Sequence, residues 1–297
     1  MTAANARRRA ILLMVGATLC WSSAGVLVRS MNINDPWEIT FWRSIFMALF
    51  VAGWIWQQHG DAAPQKIRAV GVPGLVSGAL FTVMFISFVI ALSRTTVANT
   101  LIVVSISPFF AALLGWVFLR ERVALRTVLA MIAAFLGVCL MFFGAASHDR
   151  WVGALVATIV PAAFGLNTVI LRKMGATVDM IPAVLIAGII SAMVTLPFAL
   201  PFEAAGRDFT LLATMGVMQV GLGCVMMTIA SRHLTAAEIG LISILEIIFG
   251  TLAVWLVVGE RPDRAALAGG LIVIAALATD QMLAMRQRTS PAPAVIT

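Results

Sequence analysis

Residues 96–122 read TVANTLIVVSISPFFAALLGWVFLRER, and residues 235–261 read TAAEIGLISILEIIFGTLAVWLVVGER. Laid over one another without a gap, 139 positions apart, the two stretches start at Thr96 and Thr235. They then match at Phe110 and Phe249, Leu113 and Leu252, Trp116 and Trp255, Glu121 and Glu260, and Arg122 and Arg261. A second pair of stretches, Ala17-Thr18 to Gly25 and Ala157-Thr158 to Gly165, repeats at an offset one residue longer. Self-similarity on this scale is the mark of an architecture built twice. In a hydrophobic chain, two related halves commonly build a transporter whose site lies at the repeat interface.

Hydrophobic residues make up 61% of the 297 positions and charged residues 11%. Soluble domains carry about 25% charged residues, so this chain cannot supply a polar exterior and lipid must be its main solvent. The net charge of +7 does not point to nucleic acid, because the basic residues sit in short clusters between apolar runs. Such clusters at membrane boundaries set topology. The three cysteines, Cys20, Cys139 and Cys224, all fall inside apolar runs and read as small packing residues. Arg7-Arg8-Arg9 followed by an apolar run resembles a signal peptide, but the run continues to Val28, long enough to span.

A spanning helix needs about 20 mostly apolar residues. Ten segments qualify as spans 1 to 10: 10–31, 37–57, 69–92, 96–119, 125–144, 151–172, 181–200, 210–231, 237–258 and 263–283. The longest connections are Gln58–Arg68 and Pro201–Phe209, and the tail from Thr289 is expected to be disordered. The fold class is therefore an all-α integral membrane protein with two five-span repeats, 10–144 and 151–283, and a cytoplasmic tail, 284–297. Ten spans put both termini on one side. That side collects 13 of the 20 Lys and Arg residues, including Arg7, Arg8, Arg9, Lys66, Arg68, Arg120, Arg172, Lys173 and Arg232, even when Arg43 is assigned to the other. The positive-inside rule makes it the cytoplasm. An odd number of spans per repeat inverts the second copy, the arrangement used for alternating access.

At this point the residues resemble a known family. Each half is similar to an EamA domain of the drug/metabolite transporter superfamily. The likeness rests on Val104-Ser105-Ile106-Ser107-Pro108 in span 4, Ser243-Ile244-Leu245-Glu246-Ile247 in span 9, the glutamates Glu121 and Glu260 past their ends, Phe41-Trp42-Arg43, and Gly16-Ala17-Thr18-Leu19-Cys20-Trp21-Ser22-Ser23. The likeness covers about residues 10–283. It implies an inner-membrane exporter of small metabolites, with spans 1, 3, 4, 6, 8 and 9 around a central cavity and spans 5 and 10 outside it. Relatives include amino acid exporters, among them a YddG-like branch for aromatic ones. One departure is that Ile247 stands where span 4 has Pro108. Span 9 is therefore expected to be less kinked than span 4.

Glu246 is the sharpest candidate. It lies about 14 Å along an axis rising about 1.5 Å per residue, near the middle of a hydrocarbon core about 30 Å thick. A carboxylate at that depth faces a cavity or a partner. It is read as a contact for a substrate ammonium or a proton site, against the alternative of a protonated packing residue. Arg43 is the only arginine well inside an apolar run. A gate or a carboxylate contact is one reading. The favoured one is a helix-end arginine snorkelling to the outer interface, paired with Glu38 or Asp35. Glu121 and Glu260 are assigned as structural anchors beside the neighbouring arginines.

Pro108 and Pro161 interrupt spans 4 and 6 and free backbone carbonyls near the centre. Trp21, Ser22, Ser23, Asn99, Ser107, Asn167, Gln219 and Ser243 add polarity to the inner spans. Phe81, Phe85, Phe164 and Met226 are candidates for an apolar lining, against the alternative of plain packing. Catalysis is not expected. His59, His148 and His233 are dispersed, no His-Glu-x-x-His, CxxC or P-loop pattern occurs, and no metal or cofactor is implied. The reading is a carrier for small-molecule substrates, most of all amino acids with aromatic or hydrophobic side chains. Its alternatives are an exporter of cationic drugs or nucleoside-type metabolites, or a receptor or scaffold in the membrane that moves nothing. Ala130, Ala133, Ala134 and Gly137 in span 5, and Ala265 and Gly269 in span 10, allow close helix approach within a monomer or a homodimer.

Overall fold

A computed structural model describes residues 3–120, 148–175 and 177–259, with short stretches between 125 and 140 and between 264 and 279. Every regular element among them is helical. Among the described residues, seven helices are long and apolar enough to cross a membrane, and they fall on spans 1, 2, 3, 6, 7, 8 and 9. The protein is a multi-pass membrane protein. Span 4 consists of two shorter helices, Val97–Val104 and Ser107–Leu119. Glu121, Glu260, Ala134, Gly137, Ala265, most of span 5, about half of span 10 and the tail 284–297 lie outside the described residues.

The connection expected over Gln58–Arg68 is helical instead. Span 2 runs Pro36–His59, turns through a 3-10 turn at Gly60–Ala62, and continues as Ala63–Ala69. Pro64 starts that short helix where a missing N–H costs nothing, and Lys66 and Arg68 face the negative end of its dipole. Asp35 caps the other end of span 2, accepting from the backbone N–H groups of Trp37 and Glu38 at 3.2 Å each.

Four inner spans are broken. Span 1 is Ala3–Ser22 and Ala24–Arg29, divided at Ser23, and span 6 is His148–Ala157 and Ile159–Gly175, divided at Thr158. Span 4 breaks at Ser105 and Ile106, just before Pro108. Span 9 was expected to run straighter, yet it divides at Ser243 into Ala236–Ile242 and Ile244–Val258. The Ser243 N–H keeps its bond to the Ile239 carbonyl at 3.1 Å, and the ladder then tightens to a 3-10 turn, with the Glu246 N–H donating to the Ser243 carbonyl at 3.0 Å. The repeat thus breaks twice at similar depth, once just before a proline and once without one. The ends match as well: Arg120 and Gly259, 139 positions apart, both take the left-handed conformation that stops a helix.

The packing keeps the same order when the halves are exchanged. Span 1 packs on 8 as 6 does on 3, span 1 on 9 as 6 on 4, and span 2 on 8 as 7 on 3. Spans 4 and 9, and 2 and 7, pack on their own mates. Close approach depends on glycine at two crossings. A Cβ on Gly165 would lie 2.7 Å from the Phe110 carbonyl carbon, and one on Gly240 would lie 2.6 Å from the Pro108 Cα. Inter-span hydrogen bonds add to this contact: Ser77 to Asn167 at 2.6 Å, Ser44 to Ser191 at 2.9 Å, and Thr82 to the Ala187 carbonyl at 3.1 Å.

Candidate functional site

A partly open cavity lies among spans 1, 2, 3, 4, 6, 8 and 9, with about 630 Å³ of space not filled by atoms when the open solvent at its mouth is included. Its walls follow the repeat. Phe81, Phe85 and Phe88 of span 3 line it, and so do Val220, Cys224 and Met227 of span 8, each 139 positions further on. Val104 and Ser107 of span 4 are matched by Ser243 and Glu246 of span 9 at the same offset. The remaining lining residues are Trp21, Arg43, Met84, Val160, Phe164 and Gln219.

Trp21, Phe81, Phe85, Ser107, Phe164, Gln219, Ser243 and Glu246 therefore come together. Ser22, Ser23, Asn99, Pro108, Pro161 and Met226 do not line the cavity. Ser22 and Ser23 turn back to the Leu19 and Cys20 carbonyls at 2.7 Å each, sealing the break in span 1. Asn99 donates to Thr95 Oγ1 at 3.3 Å, at the start of span 4. Pro108 is the surface on which Gly240 packs. Pro161 is buried in the first turn after the Thr158 break. Met226 lies against Gly16 of span 1.

Arg43 departs most from expectation. It does not reach the outer interface and does not pair with Glu38 or Asp35. Glu38 is itself buried and accepts from the backbone N–H groups of Glu203 and Ala204 at 2.9–3.0 Å, and Asp35 is the cap of span 2. Arg43 is 2% exposed, donates from Nη2 to the Phe85 carbonyl at 3.0 Å, and lies 5.2 Å from the Phe85 ring centre. A pattern in the sequence carried this. Ile39, Arg43, Met47, Val51 and Ile55 form one i, i+4 row, and all are buried. A residue in such a row faces protein wherever it falls along the membrane normal. Cys224 was read as packing alone; its place opposite Phe85 follows only when the repeat offset is carried back into spans 3 and 8.

Glu246 is 8% exposed, and no described residue donates a hydrogen bond to its carboxylate. Gln219 sits in a π-helical stretch, Met215–Leu222, and its Oε1 is buried without a partner among the described residues. Such stretches re-aim side chains and are frequent at functional sites. No cluster of metal-ligating side chains occurs among the described residues. The arrangement is a mostly apolar cavity with a few polar groups, the general character of a small-molecule site.

A model of the EamA-like transporter family matches residues 8–143 and again 151–279. The chain belongs to this family. The EamA-like protein is similar to the pseudopaline exporter CntI of Pseudomonas aeruginosa, 27% identical over 274 residues that cover 90% of this chain and 93% of the relative. It is also similar to solute carrier family 35 member G1 of Mus musculus, 24% identical, covering 77% of this chain and 66% of that one. A solved crystal structure superposes with a TM-score of 0.69 at 18% identity, over 94% of this chain and 99% of that one, and so shares the fold. The protein is a transporter and not an enzyme.

Proposed function

We propose that this EamA-like protein is a secondary transporter that exports small amphipathic metabolites, most of all amino acids with aromatic or hydrophobic side chains. It would work by alternating access of two inverted five-span halves in an inner membrane, with both termini and the tail in the cytoplasm. One observation carries the reading. The cavity is lined by equivalent positions of both halves and combines aromatic rings with a carboxylate, Glu246, that no described residue engages. Burying such a group costs about 2.5–3.5 kcal/mol on insertion scales, so a solute or a proton is the natural partner. The similarity to an exporter of pseudopaline supports export of a small metabolite.

A second reading, export of cationic drugs, draws on the same carboxylate, since a cation beside aromatic rings is also well held. Counterflow in liposomes decides between them, using panels of amino acids, nucleosides and cationic drugs. Accumulation of amino acids supports the first reading, and accumulation of drugs alone the second. Absence of flux with retained binding would make the protein a receptor or scaffold. Ser107→Trp fills the cavity and should abolish counterflow in protein of normal melting temperature. Ala133→Trp on span 5 should leave flux within about threefold of wild type.

A further inference from the structure

We propose that the cavity holds its solute as a zwitterion, the carboxylate on Arg43 and the ammonium on Glu246, with an apolar side group against the aromatic wall. This rests on the export reading and names the class of solute for it. Both side chains line one cavity, and both are more than nine-tenths buried. The guanidinium spends one N–H on the Phe85 carbonyl and rests over the Phe85 ring. Among the described residues nothing else accepts from it, so its orientation is fixed while its remaining donors stay available. The Glu246 carboxylate likewise has no partner among the described residues. The two groups do not answer one another, because no N–O pair between them lies within the 4.0 Å of an ion pair.

A guanidinium and a carboxyl group buried apart are costly to hold ionised, and each ionises most readily beside a counter-charge. A cation on Glu246 would leave Arg43 uncompensated, and an anion on Arg43 would leave Glu246 so. One molecule bearing both charges answers both and keeps the occupied cavity neutral. Phe81, Phe85 and Trp21 then take an aromatic or aliphatic side group. Arg43 comes from span 2, which contributes no other lining residue. The carboxylate end is thereby placed beside spans 2 and 3, and the ammonium end beside span 9.

The test uses purified full-length protein in liposomes. Exchange of radiolabelled phenylalanine is measured against unlabelled phenylalanine, phenethylamine (ammonium only) and hydrocinnamate (carboxylate only). Wild-type protein should be competed at least roughly thirtyfold more weakly by either singly charged analogue. Arg43→Gln should erase the preference for phenylalanine over phenethylamine, and Glu246→Gln the preference over hydrocinnamate. Arg43→Lys keeps the charge and should keep the preference. These are ratios measured on one preparation, so partial loss of folded protein does not change them. Phenethylamine competing as well as phenylalanine on wild type, or an Arg43→Gln ratio equal to wild type, would overturn the two-point hold and leave export standing. Movement of drugs or nucleosides but none of these phenyl compounds would overturn both the zwitterion and the amino acid reading.

Discussion

The two halves use one scaffold and divide the chemistry between them. At matched positions the first half offers Phe81, Phe85, Phe88, Val104 and Ser107, and the second offers Val220, Cys224, Met227, Ser243 and Glu246. Three rings face an aliphatic chain, a thiol and a thioether, and a hydroxyl faces a carboxylate. Span 3 is one uninterrupted helix, Gly71–Arg94, whereas span 8 carries the π-helical stretch. Packing order, helix breaks and left-handed stops are shared. The lesson is a division of labour. Backbone and small residues must be equivalent if the halves are to exchange conformations. Side chains at the cavity need not be, if one solute presents different ends to the two walls as proposed.

The largest effect tests whether the halves are inverted at all. Arg94 and His233 are exposed mates at the ends of spans 3 and 8, 139 positions apart. In a background lacking the three native cysteines, Arg94→Cys should react with an impermeant maleimide only from outside, and His233→Cys only from the cytoplasm. This outcome is all or none. Labelling of both from one side would make the repeat parallel and remove the basis for exchange between halves.

Next in size is the carboxylate. Glu246→Ser should lower exchange of phenylalanine roughly a hundredfold, from the cost of leaving a charged end of the solute unpaired. Ser107→Glu added to that variant restores the charge at the mate position. It should not restore exchange, because Arg43 and the rings stay where they were. Recovery to within about threefold would show that the walls are interchangeable.

The walls themselves should differ by less. Phe85→Ala removes a ring whose full burial is worth about 1.5–3 kcal/mol and should raise the KM for phenylalanine roughly tenfold or more. Val220→Ala, at the mate of Phe81, should stay within about threefold. Equal shifts would mean that the solute does not lean on the first half.

How much of this could be read in the sequence follows from the same comparison. Length and hydropathy fix spans, and a shared register fixes the repeat, so the architecture was legible. Glu246 was legible because charge in mid-membrane is conspicuous. Arg43 was misjudged because distance along a helix was weighed and the buried i, i+4 row from Ile39 to Ile55 was not. The break in span 9 is not legible from proline content, because it comes from a local tightening to an i−3 bond, Glu246 N–H to the Ser243 carbonyl, with no proline at hand. Ser22, Ser23, Asn99 and Met226 were polar or bulky in the right spans, but hydropathy does not give the azimuth of a side chain about its helix, and theirs point to their own backbone or to a neighbour.

The smallest expected difference lies at the helix starts. Glu238 and Thr235 form a reciprocal capping box, with Thr235 N–H donating to Glu238 Oε2 at 2.9 Å and Glu238 N–H donating to Thr235 Oγ1 at 3.2 Å. Arg7 of span 1 adds an ion pair to Glu238 at 2.7 Å. At the mate position, Asn99 N–H donates to Thr96 Oγ1 at 3.2 Å, so half of the box is kept and the charge is absent. Arg7 is 49% exposed on its side chain, so the pair is screened and is worth no more than about 1 kcal/mol. Arg7→Ala should therefore lower the melting temperature by no more than roughly 2–4 °C for a chain of this size. Thr235→Ala removes a cap and should cost more, about 0.5–2 kcal/mol. Both melts are read in detergent, with Thr96→Ala as the reference in the other half. A fall for Arg7→Ala larger than that for Thr235→Ala would mean that the ion pair, not the cap, ties span 1 to span 9.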